Sequence, residues 1–361
     1  MLKVAIIGAG NGGQALAGYL AMKGFDVSIF NRSKKRIAPI IETKMIKLEG
    51  EVTGTYRVNL ATTNIEEAIR GRKVIMVVVP AFAHEDVAKK MGNHLEDGQI
   101  IILNPGRTGG ALAFRSVLKK MGIEKRIIVA ETQTFIFASR MSNPGVARIF
   151  RIKNAVPVSA LPAKYNPELK EALNDLMPEF EIVDNTIHTS FNNIGAVFHP
   201  PVLLLNAARI ETTVGKFEFY LEGISPSVAK VLKKVDEERC RVMKIFGVEP
   251  MTSEEWLNYA YNVTGRNLYE MIHNNSGYQG IFAPPSIWNR YILEDVPMSL
   301  VPISSFGKEF GVPTPTIDSM IHIANVMMEM DFWKSGRTVE RLGLKGKDID
   351  EILKIVEVGE E

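Results

Sequence analysis

Apolar and polar positions along the first half of the chain follow two rhythms. Leu2–Ile7 is a nearly continuous apolar run, interrupted only by Lys3, which suits a strand buried on both faces. Gln14–Met22 then carries Ala, Leu and Tyr at helical spacing, and Lys23-Gly24 supplies a C-terminal stop. Val27–Phe30 reads as a second strand, followed by a polar helix and a hairpin around Glu51–Asn59. Val74–Val79, Ile100–Leu103 and Ile127–Ala130 are further apolar runs, each set off by a helical segment. Strand alternating with helix predicts a parallel sheet wrapped on both faces.

From Arg148 to Val183 the rhythm weakens, and strand-like pieces at Ala147–Ile152 and Phe180–Val183 flank a Pro-containing stretch and a helical Pro167–Leu176. This reads as the tail of the first domain, an antiparallel extension of its sheet. Beyond Ser190 long helices take over, at Phe191–Thr213, Pro226–Phe246 and Thr314–Met330. The expected fold is an α/β Rossmann domain with a parallel doubly wound sheet over residues 1–187, then an all-α C-terminal domain over residues 188–361.

Composition narrows the class. With 361 residues, 46% hydrophobic and 23% charged, both halves can bury a core. A formal net charge of +2 argues against a nucleic-acid or anionic-membrane surface. Cys240 is the single cysteine, so no intrachain disulfide forms and a reducing, cytoplasmic setting is expected. No apolar run reaches bilayer length, and the opening run reads as a first strand rather than a signal peptide. No metal site is expected.

Gly8-Ala9-Gly10-Asn11-Gly12-Gly13 meets the G-x-G-x-x-G pattern in the context that makes it informative, after a buried strand and opening a helix. Gly8 permits the tight turn, Gly10 lets a pyrophosphate approach the backbone, and Gly13 lets helix and strand pack closely. The candidate cofactor contacts are Gly8, Gly10, Asn11, Gly12 and Gly13, with Asn31 and Arg32 at the end of the second strand and Pro80 after Val74–Val79. That second strand ends in Phe30-Asn31-Arg32-Ser33 with no carboxylate to hold ribose hydroxyls, and Arg32 suits a 2′-phosphate. This favours NADP over NAD.

Three loops should line the nicotinamide end of that sheet: the one at Pro80, Asn104–Gly110 with Arg107, and Glu131-Thr132-Gln133-Thr134. Arg107 and Thr134 are taken as substrate contacts. In the helix expected over Phe191–Ile210, Asn192, His199 and Asn206 recur at spacings of seven, which puts them on one face. His199-Pro200-Pro201 should disturb that helix. On pattern alone a histidine there is more often a hydrogen-bonded core residue than a catalyst, and Arg290–Pro297 is more often a surface ion-pair cluster.

The ordered set formed by the glycine turn, Glu131-Thr132-Gln133-Thr134, Asn192 with His199-Pro200-Pro201, and Arg290-Tyr291 with Glu294-Asp295-Val296-Pro297 resembles the opine dehydrogenase family, the octopine and nopaline dehydrogenase-like proteins. It spans nearly the whole chain. The resemblance implies a C-terminal domain like those of 6-phosphogluconate dehydrogenases and the reductive condensation of an amino acid with a 2-oxo acid. It implies His199 as acid–base catalyst, Asp295 as its orienting partner and Arg290 as a ligand of a substrate carboxylate, in a cleft between the domains. Asn192 or Asn193 is expected to orient the substrate carbonyl or the nicotinamide carboxamide, with Asn192 counted among the substrate contacts. Small-molecule substrates are therefore the expected partners, with a homodimer through the helical domain compatible with its apolar helices.

The chain departs from the family where members carry a Leu-Pro-Tyr-type stretch and a cysteine, because Phe135-Ile136-Phe137-Ala138-Ser139-Arg140 stands there, on a loop expected to face the amino acid. A ketopantoate-reductase-like 2-oxo acid reductase and a non-catalytic dinucleotide sensor are the alternatives. The first usually relies on a lysine, and the second has no use for an acid–base pair.

Overall fold

The computed structural model describes residues 2–359, and these group into two compact units. The first holds residues 2–106, 110–186 and 356–359, and the second holds Arg107–Gly109 and Ile187–Ile355. Patterning divides the chain once, at 187/188. Contacts instead assign three residues of an early loop to the second unit and the last residues described to the first.

The first unit contains twelve strands: β1 Lys3–Ile7, β2 Asp26–Phe30, β3 Met45–Gly50, β4 Gly54–Arg57, β5 Leu60–Thr62, β6 Val74–Val77, β7 Ile100–Leu103, β8 Ile128–Thr132, β9 Phe137–Asn143, β10 Val146–Ile152, β11 Val156–Leu161 and β12 Phe180–Ile182. Eight form one sheet in the order β12-β11-β8-β7-β6-β1-β2-β5. From β5 to β8 every pairing is parallel, as the alternation predicts. Val4, Ile6, Ile29, Met76, Ile101 and Ile102 are fully buried in it, each such side chain worth about 1.5–3 kcal/mol against exposure.

The expected antiparallel extension is present in part. β11 lies antiparallel on β8, but Ala147–Ile152 belongs to a separate sheet, β4-β3-β10-β9. β11 escaped notice because Pro157 in a short run argues against an interior strand. The hairpin expected around Glu51–Asn59 is β3–β4, turning at residues 51–53.

The second unit is helical apart from an isolated bridge between Glu218 and Phe282. Its central helix, Ile194–Leu205, packs against Pro226–Lys244, Ser253–Tyr261, Arg290–Leu293 and Pro315–Met328. The single helix expected over Phe191–Thr213 is three, Thr186–Phe191, Ile194–Leu205 and Ala207–Thr213. The breaks fall at Asn192-Asn193 and Asn206, whereas Pro200 and Pro201 stay inside a continuous helix with both rings buried. Burial offsets what two lost backbone donors cost. No helix among the described residues is long and apolar enough to cross a membrane.

Candidate active site

In the first unit the chain leaves β1 by Gly8 and enters the helix Asn11–Met22. β1 is flanked by β2 on one side and by β6 on the other, so strand order reverses there and the crevice lies at the carboxyl ends of β1 and β6. Gly8 has φ +116°. A Cβ on it would collide with the Val78 carbonyl, and one on Gly13 would collide with the Gly8 carbonyl. A Cβ on Gly12 would lie 2.7 Å from the Phe135 ring, whereas one on Gly10 would meet only the Arg36 guanidinium, at 3.9 Å. The turn is thus closed on its inner side and open at Gly10.

The helix starts without an acidic residue in its first turn and without a side-chain cap, so nothing opposes an anion at its N-terminus. These residues fit a dinucleotide pyrophosphate.

Around that cradle the predicted contacts divide. Asn31 braces the turn, its Oδ1 accepting from the Ala9 amide at 3.0 Å and its amide donating to Ser33 O at 3.0 Å. Asn11 Oδ1 likewise accepts from the Met141 amide at 3.1 Å. Arg32 is open, its side chain 81% exposed and 3.7 Å from Asp86. Pro80 is exposed at the start of a 3-10 turn. Thr134 belongs to this unit and lies 3.4 Å from the Lys153 ammonium. The Phe135–Arg140 segment runs into β9 rather than forming a loop, with Ile136 and Phe137 buried.

In the second unit His199, in the helix Ile194–Leu205, meets Asp295, which precedes a π-helical turn, Val296–Leu300. Such turns recur at functional sites. Imidazole Nδ1 lies 2.7 Å from Asp295 Oδ2, with His199 14% exposed and Asp295 fully buried. An ionised carboxylate only accepts, so Nδ1 carries the hydrogen and Nε2 is left for chemistry. Tyr291 stacks on the imidazole with ring centroids 4.1 Å apart and planes at 17°. Phe219 backs Tyr291 at 5.0 Å. Neither Phe219 nor the stacking carried any sequence signal.

Three charges, Arg290, Glu294 and Arg107, form a chain that ends on Asp295 of this pair. Arg290 NH1 lies 3.6 Å from Glu294 Oε2, Arg107 Nε 3.5 Å from Glu294 Oε1, and Arg107 NH1 3.1 Å from Asp295 Oδ1. The Arg290 side chain is 54% exposed, open to an anion. Arg107 is 6% exposed, and its guanidinium also donates to Asn193 Oδ1 at 3.2 Å. Arg107, expected as a substrate contact, is therefore buried and ion-paired with Glu294 and Asp295.

Burial pushes the His199 imidazole below its ordinary value, helped by Arg107 and Arg290 and opposed by Asp295. For Asp295, burial works upward, but Arg107 and His199 outweigh it and hold the carboxyl below its ordinary value.

Asn192 does not join the site. It is fully buried, and its Oδ1 accepts from Arg239 at 3.0 Å and from the Met251 amide at 2.9 Å. Asn206 caps the far end of the His199 helix, donating to Val202 O and Gly223 O at 2.8 Å each. The spacing of seven misleads because the helix begins only after Asn192. Sequence reading also passed over the buried pair that holds Asn192, Arg239 and Asp236, 2.6 Å apart; Asp236 and Arg239 look like ordinary charged positions of an amphipathic helix.

Residues 182–328 match the family described as NAD/NADP octopine/nopaline dehydrogenase, alpha-helical domain, and residues 3–127 match the NAD-dependent glycerol-3-phosphate dehydrogenase N-terminus. An opine dehydrogenase of Arthrobacter sp. (strain 1C) is 39% identical over 343 residues, covering 95% of both chains. The chain belongs to the opine dehydrogenase family. With that family it is an NAD(P)-dependent oxidoreductase acting on CH–NH groups.

The octopine dehydrogenase of Pecten maximus is 23% identical, over 96% of this chain and 94% of its own. Two solved structures share the fold. An octopine dehydrogenase in complex with NADH and agmatine has TM-score 0.79 at 22% identity, covering 98% of each chain. A yersinopine dehydrogenase with NADP+ bound has TM-score 0.71 at 15% identity, covering 99% of this chain and 98% of its own.

Proposed function

We propose that this protein joins the amino group of an amino acid to a 2-oxo acid such as pyruvate, with His199 as the proton-transfer group and NADPH as the preferred reductant. The observation that carries this reading is the His199–Asp295 pair beside a half-exposed Arg290. Condensation releases water and leaves a C=N bond, and a bound nicotinamide supplies the hydride that its carbon takes up. The protein must move protons at the reacting nitrogen and oxygen. Nε2 of His199 does so, because an imidazole exchanges protons near the working pH. Asp295 fixes its tautomer and stabilises the imidazolium.

Arg290 presents its exposed edge to a substrate carboxylate, which its planar fork binds bidentately. Gly8, Gly10, Gly12 and Gly13 form the cradle for the dinucleotide. Arg32, exposed beyond β2 where no carboxylate stands, pairs with a 2′-phosphate and accounts for the preference for NADP.

The test follows NADPH and NADH oxidation with pyruvate alone, and then with pyruvate plus a panel of amino acids. Turnover that requires both supports the proposal. Equal turnover with pyruvate alone makes the protein a 2-oxo acid reductase, and cofactor binding without turnover on any pair makes it a binding protein.

A further inference from the structure

Arg107 is held in a place that a long basic side chain does not take by default. Its backbone is left-handed, at φ +60°, a region uncommon for a residue with a Cβ. The next two residues are bonded into the second unit. The Thr108 amide donates to Met298 O at 3.2 Å, Thr108 Oγ1 to Ser190 O at 3.0 Å, and the Gly109 amide to Ser190 Oγ at 3.0 Å. Arg337 donates to Thr108 O at 3.2 Å. On the facing helix Gly195 leaves the space the guanidinium fills, and Asn193, which accepts from it, is itself fixed by donating to Ser299 Oγ at 2.6 Å. Such over-determination is the usual cost of keeping a strained backbone.

We propose that Arg107 is a positioning residue for the His199–Asp295 pair: it grips the aspartate oxygen that does not face the imidazole and sets the net charge against which His199 gains and loses its proton. The inference rests on His199 being the proton-transfer group. A buried aspartate acting alone would hold an imidazolium too firmly to let its proton go, since an opposite charge at contact favours the charged form strongly. Arg107 corrects this in two ways. It keeps Asp295 ionised, so the tautomer of His199 stays fixed, and it offsets the pull of that carboxylate on the proton.

Arg290 acts on the pair in the same sense, but from a half-exposed side chain that is ion-paired with Glu294, and Tyr291 covers the ring face. Charged groups on the other helices packed around His199 have partners of their own. On the helix Pro226–Lys244, Asp236 pairs with Arg239, Cys240 accepts from Arg239, and Glu238 accepts the amides of Thr316 and Ile317. On Pro315–Met328, Asp318 bonds Ser304 and Lys308. On Ser253–Tyr261, Glu254 pairs with Lys233, and Glu255 closes the cap at Thr252. On Ala207–Thr213, Arg209 pairs with Glu222.

The experiment is an NMR titration of the imidazole Cε1–H of His199, identified by its loss in His199→Gln, in the full-length protein. Arg107→Gln should move the midpoint up by about one pH unit, while Arg107→Lys, which keeps the charge, should leave it near wild type. The alkaline limb of kcat/KM for reduction should move with it. Should Arg107→Gln not fold, Gly195→Ala serves in its place. It pushes aside only the tip of a flexible side chain and should raise the midpoint in the same direction. A midpoint that stays put in the glutamine or alanine variant, or that rises as far in the lysine variant as in the glutamine one, overturns the proposal. The titration needs no turnover, so a protein inactive on every amine and oxo acid pair would end the functional reading while the midpoints still judge Arg107.

Discussion

The guanidinium of Arg107 fills the space where a side chain on Gly195 would begin. Gly195 lies one turn before His199 on the same helix, so the bareness of that position and the partner of Asp295 are one feature of the chain. Gly195→Ala should therefore leave more of His199 protonated and lower kcat/KM for oxidation of the opine by roughly tenfold at pH below the raised midpoint, a barrier change of about 1.4 kcal/mol. Cofactor affinity should remain close to wild type. Steady-state kinetics beside a dinucleotide titration check this, and unaltered kcat/KM would show that Arg107 can leave its place at no cost.

His199→Gln and Asp295→Asn separate proton transfer from its orientation. The first removes the exchanging nitrogen and should lower kcat by on the order of a hundredfold or more. The second puts an amide against Nδ1 that can donate to it, which favours the wrong tautomer and should also cost at least a hundredfold. Both should leave dinucleotide binding nearly intact, as read by quenching of protein fluorescence. An Asp295→Asn enzyme with wild-type kcat would remove the aspartate from the reaction.

The dependence on pH follows from burial of the imidazole, to which Arg107 and Arg290 add, against the pull of Asp295. Reduction needs His199 protonated, so kcat/KM should fall as pH rises through its pKa. Oxidation of the opine needs it neutral, so the rate should rise through the same pKa. Because the folded value lies below the ordinary 6.5, both limbs should centre below that pH. Limbs centred above 7 in both directions would contradict the assignment.

How far the chain could be read depended on whether a feature is local. β1, β6 and β7 are buried on both faces and announce themselves as unbroken apolar runs. The glycine turn is legible because backbone geometry demands glycine there. The strand β9 offers only a mixed burial pattern, and β11 hides behind Pro157. The roles expected of His199, Asp295 and Arg290 rest on resemblance rather than periodicity. The contact of Arg107 with Glu294 has no sequence signal, since it joins residues 187 positions apart. Asn192 failed for a local reason, a helix start that apolar spacing alone does not mark.

Arg32 tests the choice of cofactor. It is exposed and only loosely paired with Asp86 at 3.7 Å, so removing it should cost the fold little. Arg32→Ala should raise KM for NADPH by about tenfold, as expected for one lost charge-assisted contact to phosphate, and leave KM for NADH unchanged. Equal effects on both cofactors would mean that Arg32 does not read the 2′ position.

The pair Asp236–Arg239 should hold the second unit together rather than take part in chemistry. Arg239 is fully buried and donates to Asp236, Phe191 O at 2.7 Å, Asn192 Oδ1 at 3.0 Å and Met251 O at 2.6 Å. It thereby fixes the break in the chain from which the His199 helix starts. Asp236 also accepts the amide and hydroxyl of Ser253, at 2.7 and 2.6 Å. Asp236→Ala strands a buried guanidinium and should cost about 3–5 kcal/mol in urea unfolding. Arg239→Met strands a carboxylate that keeps its Ser253 bonds, and should cost less. Removing both should cost less than the sum of the single losses, since an uncompensated charge is what makes each one severe. Strict additivity would mean that the two side chains act separately, and a loss under about 1 kcal/mol for Asp236→Ala, the range of an exposed pair, would mean that water reaches Arg239 after all.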